Sequence, residues 1–242
     1  MRLLQDEGGV ILVPHHRSWN SCQRILELSS NWKSFPDENQ LQSVTSFCYD
    51  QWMNMGGEER LVSSSSLQAL LSPYQHTTFS MKKGAKYKDL LWFYRQLHML
   101  GYNASSWMEH IQLEENVMQI SEKAWKDYQA TTLEVAYRFI EYETLLNTLN
   151  IMDGPSVILN TLLKWKEEPY KCAISLNDIS WLGVDDIHEF TPCMWKILEL
   201  CKEQIPISAY TLPDRGVLEN HSSFFDSYVE NIIYLCHYSL IK

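Results

Sequence analysis

The amino-acid sequence predicts an all-α protein, an irregular multi-helix bundle around a long central helix with a short N-terminal extended arm. Three features lead there. Apolar residues step by three or four through the middle of the chain, helix-capping chemistry recurs along it, and runs of alternating apolar and polar residues are almost missing. The chain has 242 residues, 45% of them hydrophobic and 21% charged, enough to bury a core without metals or disulfide staples.

Taken in order, Gly8 to Val13 reads as a short strand or arm ended by Pro14, and an unpaired strand edge there would invite a partner. A helix is predicted from about Asn20 to Trp32. Another starts near Ser34-Phe35-Pro36-Asp37-Glu38, where a capping serine, an early proline and first-turn acids coincide. Leu41, Val44, Cys48 and Trp52 share its apolar stripe, and Gly56-Gly57 stop it. Ser63 to Ser66 is a low-complexity patch before a short helix around Leu67 to Leu71. From Ser72 to Lys88 the pattern is lost, and Pro73, Gly84 and four lysines mark a loop.

Leu90, Leu91, Tyr94, Leu97 and Leu100 describe a helix with Gly101 at its C-cap. The strongest signal follows. Val117, Ile120, Ala124, Tyr128, Thr131, Val135, Phe139, Tyr142, Leu146 and Leu149 keep close to the 3.6-residue turn, with Leu133, Ala136, Ile140 and Leu145 as a second apolar edge. A stripe that wide calls for neighbours on more than one side. Asp153-Gly154-Pro155 opens a helix carrying Ile158, Leu162 and Trp165, which Pro169 closes. Ser175 to Asp178 has the spacing of a capping box, with Ile174 and Ile179 as a hydrophobic staple, opening a short element that Gly183 ends. Thr191-Pro192 starts a helix with Met194, Ile197, Leu198 and Cys201 inside, and Ser222 or Ser223 starts the last. The expected organisation is an N-terminal arm and helical annex over 1–72, a basic loop over 73–88 and a main helical domain over 89–242.

Leu176 to Val184, with Trp195-Lys196-Ile197-Leu198 after it, resembles the second half of a sterile-alpha-motif domain over about thirty residues. The family's first helices are not recognisable upstream and the linking segment is longer. The likeness reads as shared helix caps, and no property of the family is carried over.

Formal charge is −10 and the sequence pI is near 5.2. Such a field opposes a general nucleic-acid coat or docking to anionic membranes. Acids in the first seven residues deny a signal peptide its apolar core, no run approaches a membrane-spanning helix, and the six cysteines are scattered without a CxxC. A cytoplasmic or nuclear protein with reduced thiols is expected.

The catalytic signatures GxSxG, Walker loop, GxGxxG and HExxH are absent, and nine glycines leave little for a phosphate cradle. The expected function is therefore a non-enzymatic helical adaptor or scaffold subunit of an intracellular multiprotein complex, holding protein partners and using no cofactor. Trp19, Trp32 and Trp52 are its candidate interface anchors, because Trp is over-represented in binding hot spots. One alternative is a nucleic-acid-associated factor, with Lys82, Lys83, Lys86, Lys88 and Arg95 on phosphates and Tyr87 and Trp92 stacking on bases. The other is an enzyme with an unrecognised helical site. There Asp185, His188 and Glu189, sharing one helix face, would converge on a divalent metal; acids complementing a helix N-terminus are the plainer account. His15-His16 reads as a solvated loop. Cys201 reads as buried and inert, and Cys193, beside the helix start at Pro192, as the more reactive thiol.

Overall fold

The computed structural model describes residues 8–15, 41–77, 79, 86–113, 122–185, 187–205 and 207–210. In chain order its elements are β1 (Gly9–Val13), β2 (Leu41–Ser43), α1 (Val44–Asn54), β3 (Arg60–Leu61), α2 (Ser64–Leu71), α3 (Tyr87–Leu100), α4 (Ala104–Leu113) and α5 (Glu122–Thr148). There follow β4 (Ile151–Met152), α6 (Gly154–Glu167), α7 (Pro169–Ser175), β5 (Trp181–Val184), α8 (Pro192–Gln204) and β6 (Ile207–Tyr210). The protein is mostly helical, with eight helices and a small sheet among the described residues. Packing divides it into two compact units, residues 1–51 with 164–242, and residues 52–163.

The first unit holds what the sequence hid. β2, β1, β5 and β6 form a four-stranded sheet in that order, every neighbouring pair parallel. The N-terminal arm is thus an inner strand, with Ile11 opposite Leu41 on one side and Gly183 on the other. No strand edge is left on β1 for a partner, which corrects the expectation of an open arm. All five of its residues, and all four of β5, are buried. A strand buried on both faces shows a continuous apolar run, so the alternation that betrays half-exposed strands never arises.

Two helical expectations change for the same reason. Leu41–Ser43 is strand β2, so α1 begins at Val44, and Trp181–Val184 is strand β5 in place of the end of a short helix. Gly9 allows the close fit between β1 and β5: a Cβ there would lie 1.9 Å from the indole of Trp181. α1 buries Val44, Phe47 and Cys48, and α8 buries Cys193, Met194, Ile197, Leu198 and Cys201. Thr191 caps α8 by accepting from Met194 N, as its sequence demanded.

In the second unit α5 buries Phe139, Tyr142 and Leu146 of the stripe read from spacing; of the second edge Ala136 is buried and Ile140 exposed. Tyr94 of α3 stacks on Phe139 at 5.0 Å and on Tyr142 at 5.5 Å between centroids. Leu67, Leu71, Phe79, Leu90, Leu97 and Ile151 complete that core. Ser63 caps α2, and Gly101 ends α3 at φ 96°, the left-handed conformation a C-cap glycine supplies. The expected start of the long helix at Val117 and the final helix after Ser222 lie outside the described residues, as does the helix over Asn20–Trp32.

Candidate functional site

Two polar constellations stand out, one in each unit. The first lies at the carboxyl ends of β1 and β5. From β1 the chain goes to β2 on one side, and it later returns to β5 on the other. In an open parallel sheet, connections diverge at such a switch in strand order and leave a crevice beyond the strand ends, where ligands bind.

His15 follows β1, and Asp185 follows β5 with its backbone N–H donating to Leu12 O at 2.9 Å. A 3₁₀ turn over Ile187–Glu189 is anchored by the fully buried Ile187 and brings Glu189 to His15. The His15 Nε2 to Glu189 Oε2 distance is 2.7 Å, with both side chains about half exposed. The two titratable runs singled out in sequence, far apart along the chain, therefore meet in one place. The helix expected under Asp185, His188 and Glu189 does not form. Asp185 closes a strand and Glu189 sits in the turn, so the three share no helical face. Asp186, His16 and the His188 side chain lie outside the described residues, among which no three His, Cys, Asp or Glu side chains gather to hold a metal.

No protein-family model and no curated protein sequence matches this chain. Its chemistry has to be read from its own residues.

The second constellation joins α3, α5 and the start of α6. Asp153 caps α6, its Oδ1 accepting from Ser156 N at 3.0 Å and from Ser156 Oγ at 2.5 Å. Arg95 Nε donates to Asp153 Oδ2 at 2.8 Å. His98, almost fully buried, sets Nδ1 against Ser156 Oγ at 3.1 Å and Nε2 against Glu143 Oε1 at 2.9 Å. Glu143 Oε1 also accepts the Ala104 N–H at 3.0 Å.

A Ser–His–Glu order invites comparison with a nucleophile triad, and proton inventory argues against it. Ser156 has one hydroxyl proton, and it goes to Asp153. With its proton on Asp153, Ser156 Oγ meets His98 Nδ1 as an acceptor, so Nδ1 is not placed as the base that would activate it. The contacts among Arg95, Asp153, Ser156, His98 and Glu143 tie three helices together. Beside it is a cavity of about 140 Å³, lined by Glu59, His98, Asn103, Glu143, Leu146, Asn147, Ile151, Met152, Ser156 and Asn160.

The remaining candidates fall as follows. Lys86 and Lys88 are exposed at the start of α3, and Trp92 on the same helix is 63% exposed. Arg95 is engaged by Asp153, while Lys82 and Lys83 lie outside the described residues, as do Trp19 and Trp32. Trp52 is half-buried and donates from Nε1 to Glu59 Oε2 at 2.8 Å. Cys193 is corrected: it is fully buried, and burial pushes its thiol up to about 12 despite the helix start beside it. Burial also raises Cys201 well above its ordinary value.

Sequence reasoning missed His98, Glu143 and Ser156. His98 lies on the apolar stripe of Leu90, Leu91, Tyr94 and Leu97. A histidine among buried neighbours needs polar partners, and that was the available signal.

Proposed function

We propose that this chain is a binding protein whose ligand site is the crevice at the carboxyl edge of β1 and β5. The meeting of His15 and Glu189 at the switch in strand order carries this reading. The chemistry of the crevice favours a small hydroxyl-rich ligand, a sugar or nucleoside, held by carboxylate acceptors and an imidazole. Phosphate is disfavoured: Gly8 and Gly9 lie at the start of β1 instead of after it, so no glycine loop opens onto the strand ends, and Asp185 and Glu189 make the local field negative.

The test is differential scanning fluorimetry of the full chain against nucleosides, hexoses and inorganic phosphate, with Glu189→Gln and His15→Ala alongside. A ligand at a hundred times its Kd adds about 2.7 kcal/mol, roughly 5–10 °C for a chain of this size. The shift should shrink in both variants. If nothing but phosphate shifts the transition, or if both variants respond like the parent, the reading fails.

A second reading keeps the chain as a non-enzymatic adaptor or scaffold subunit in the cytoplasm or nucleus, with α5 organising a helical bundle in residues 52–163. Tyr170 and Ile174, one turn apart on α7 and 60% and 71% exposed, support a protein partner. Loss of a co-purifying partner on replacing both with serine would sustain it, and a monomer with or without them would remove it.

A further inference from the structure

We infer that the cavity in residues 52–163 is a second ligand site, built for a short aliphatic primary ammonium ion. It belongs to residues 52–163 alone and does not rest on the site proposed at β1 and β5. Three features of the lining lead to that class of ligand.

The first is charge. Glu59 and Glu143 line the cavity, and no lysine or arginine does. Arg95 is paired with Asp153, and among the described residues no cation is paired with Glu59. Its Oε2 accepts from Trp52 Nε1 at 2.8 Å and from Glu58 N at 3.1 Å, both neutral donors. An anion entering here would face uncompensated negative charge, and a cation would relieve it.

The second is unused polar capacity. Among the described residues Glu143 Oε2 and Glu59 Oε1 carry no hydrogen bond, and neither does the side-chain amide of Asn160. An ammonium group has three N–H donors and no acceptor, and acceptor oxygens are what this wall supplies. The third is the apolar side formed by Leu146, Ile151 and Met152, where Ile151 and Met152 are held still by pairing of β4 with β3. That surface suits methylene groups. At about 140 Å³ the space resembles cavities that accept a molecule of roughly six heavy atoms.

The experiment uses the full chain at pH 7, with n-butylamine and 1,4-diaminobutane as probes and butyrate as the anion of matching shape. Isothermal titration calorimetry should show both amines binding and butyrate silent. Glu59→Gln removes the charge while keeping an acceptor for Trp52, and should weaken the amines at least tenfold. Asn160→Leu, outside the His98 network, should weaken them too without altering the thermal transition by more than a degree or two. Silence from both amines would mean that the cavity holds water only and would overturn the inference. So would amine binding that both variants leave unchanged, or butyrate binding as tightly as butylamine.

Discussion

Replacing Gly9 by alanine tests the most consequential feature of the fold, the enclosure of the N-terminal strand. A Cβ at this position would lie 1.9 Å from Cε2, 2.1 Å from Cζ2 and 2.2 Å from Nε1 of Trp181. The indole is rigid and only 4% exposed, so it has no free end to swing aside. Either the ring leaves its pocket or β1 and β5 move apart and weaken the ladder from Gly9–Trp181 onward. Overpacking of this kind costs about 1–3 kcal/mol, and the depth of the overlap puts the expectation near 3. Urea unfolding followed by tryptophan fluorescence should then show the midpoint falling by roughly 1 M. A free arm predicts something different, because Gly→Ala on unpacked backbone changes stability by about 0.5 kcal/mol or raises it. The double variant with Trp181→Leu isolates the cause: removing the ring removes the clash, so the two losses should fall short of additive by at least ~1 kcal/mol. A near-neutral Gly9→Ala, or strict additivity, would refute an inner strand at this position.

Further tests address other parts of the molecule. Asp153→Ala removes the cap of α6 and leaves Arg95 and Ser156 without their carboxylate; a loss of about 3–4 kcal/mol in denaturant unfolding is expected. Asp153→Asn, which still caps, should lose roughly half as much, and equal losses would mean that the cap contributes nothing beyond the charge paired with Arg95. The thiols of Cys48, Cys172, Cys193 and Cys201 are buried and raised by that burial, Cys172 and Cys193 to about 12. Native protein at pH 8 should show no more than two of its six thiols reacting quickly with a disulfide reagent, and all six once denatured. The same shifts set a pH dependence. Folded thiols keep protons that unfolded ones lose above their ordinary value near 9, so stability is intact below that pH and falls as pH climbs from about 9 to 12. A midpoint that is flat or rising across that window would contradict it. Gly101→Ala, placed at φ 96°, should cost about 1 kcal/mol by thermal unfolding, and no loss would dispute the left-handed cap.

What the sequence made legible was local chemistry. Gly101, Asp153 and Thr191 each mark a helix end where the structure puts one, because a cap is decided within four residues of chain. The stripe through Phe139, Tyr142 and Leu146 was readable for the same reason, a period repeated within one element. Strand β1 was readable as a short strand, though not its place inside a sheet. Strand β5 was not: it is four residues long, buried on both faces, and indistinguishable by pattern from an apolar patch of helix. The capping-box spacing of Ser175 to Asp178 then pulled the reading of Trp181–Val184 toward helix. The structure ends α7 at Ser175 and turns the chain into β5, so the spacing marked a bend and not a start.

The candidate sites were hidden by a second kind of distance. His15 and Glu189 each belonged to a run that drew attention, and nothing local could join them, since parallel strands need a crossover and are not paired by a turn. Between β1 and β5 the chain forms β2 and the whole of the 52–163 unit. His98 is likewise separated from Ser156 by 58 positions and from Glu143 by 45. In both places titratable groups carried the signal, and topology decided which of them meet. The parallel sheet therefore changes the functional question more than the helix content does. A helical chain without catalytic motifs invites an account in terms of partners alone. A switch in strand order lined by an imidazole and carboxylates calls for ligand titration before any search for a partner.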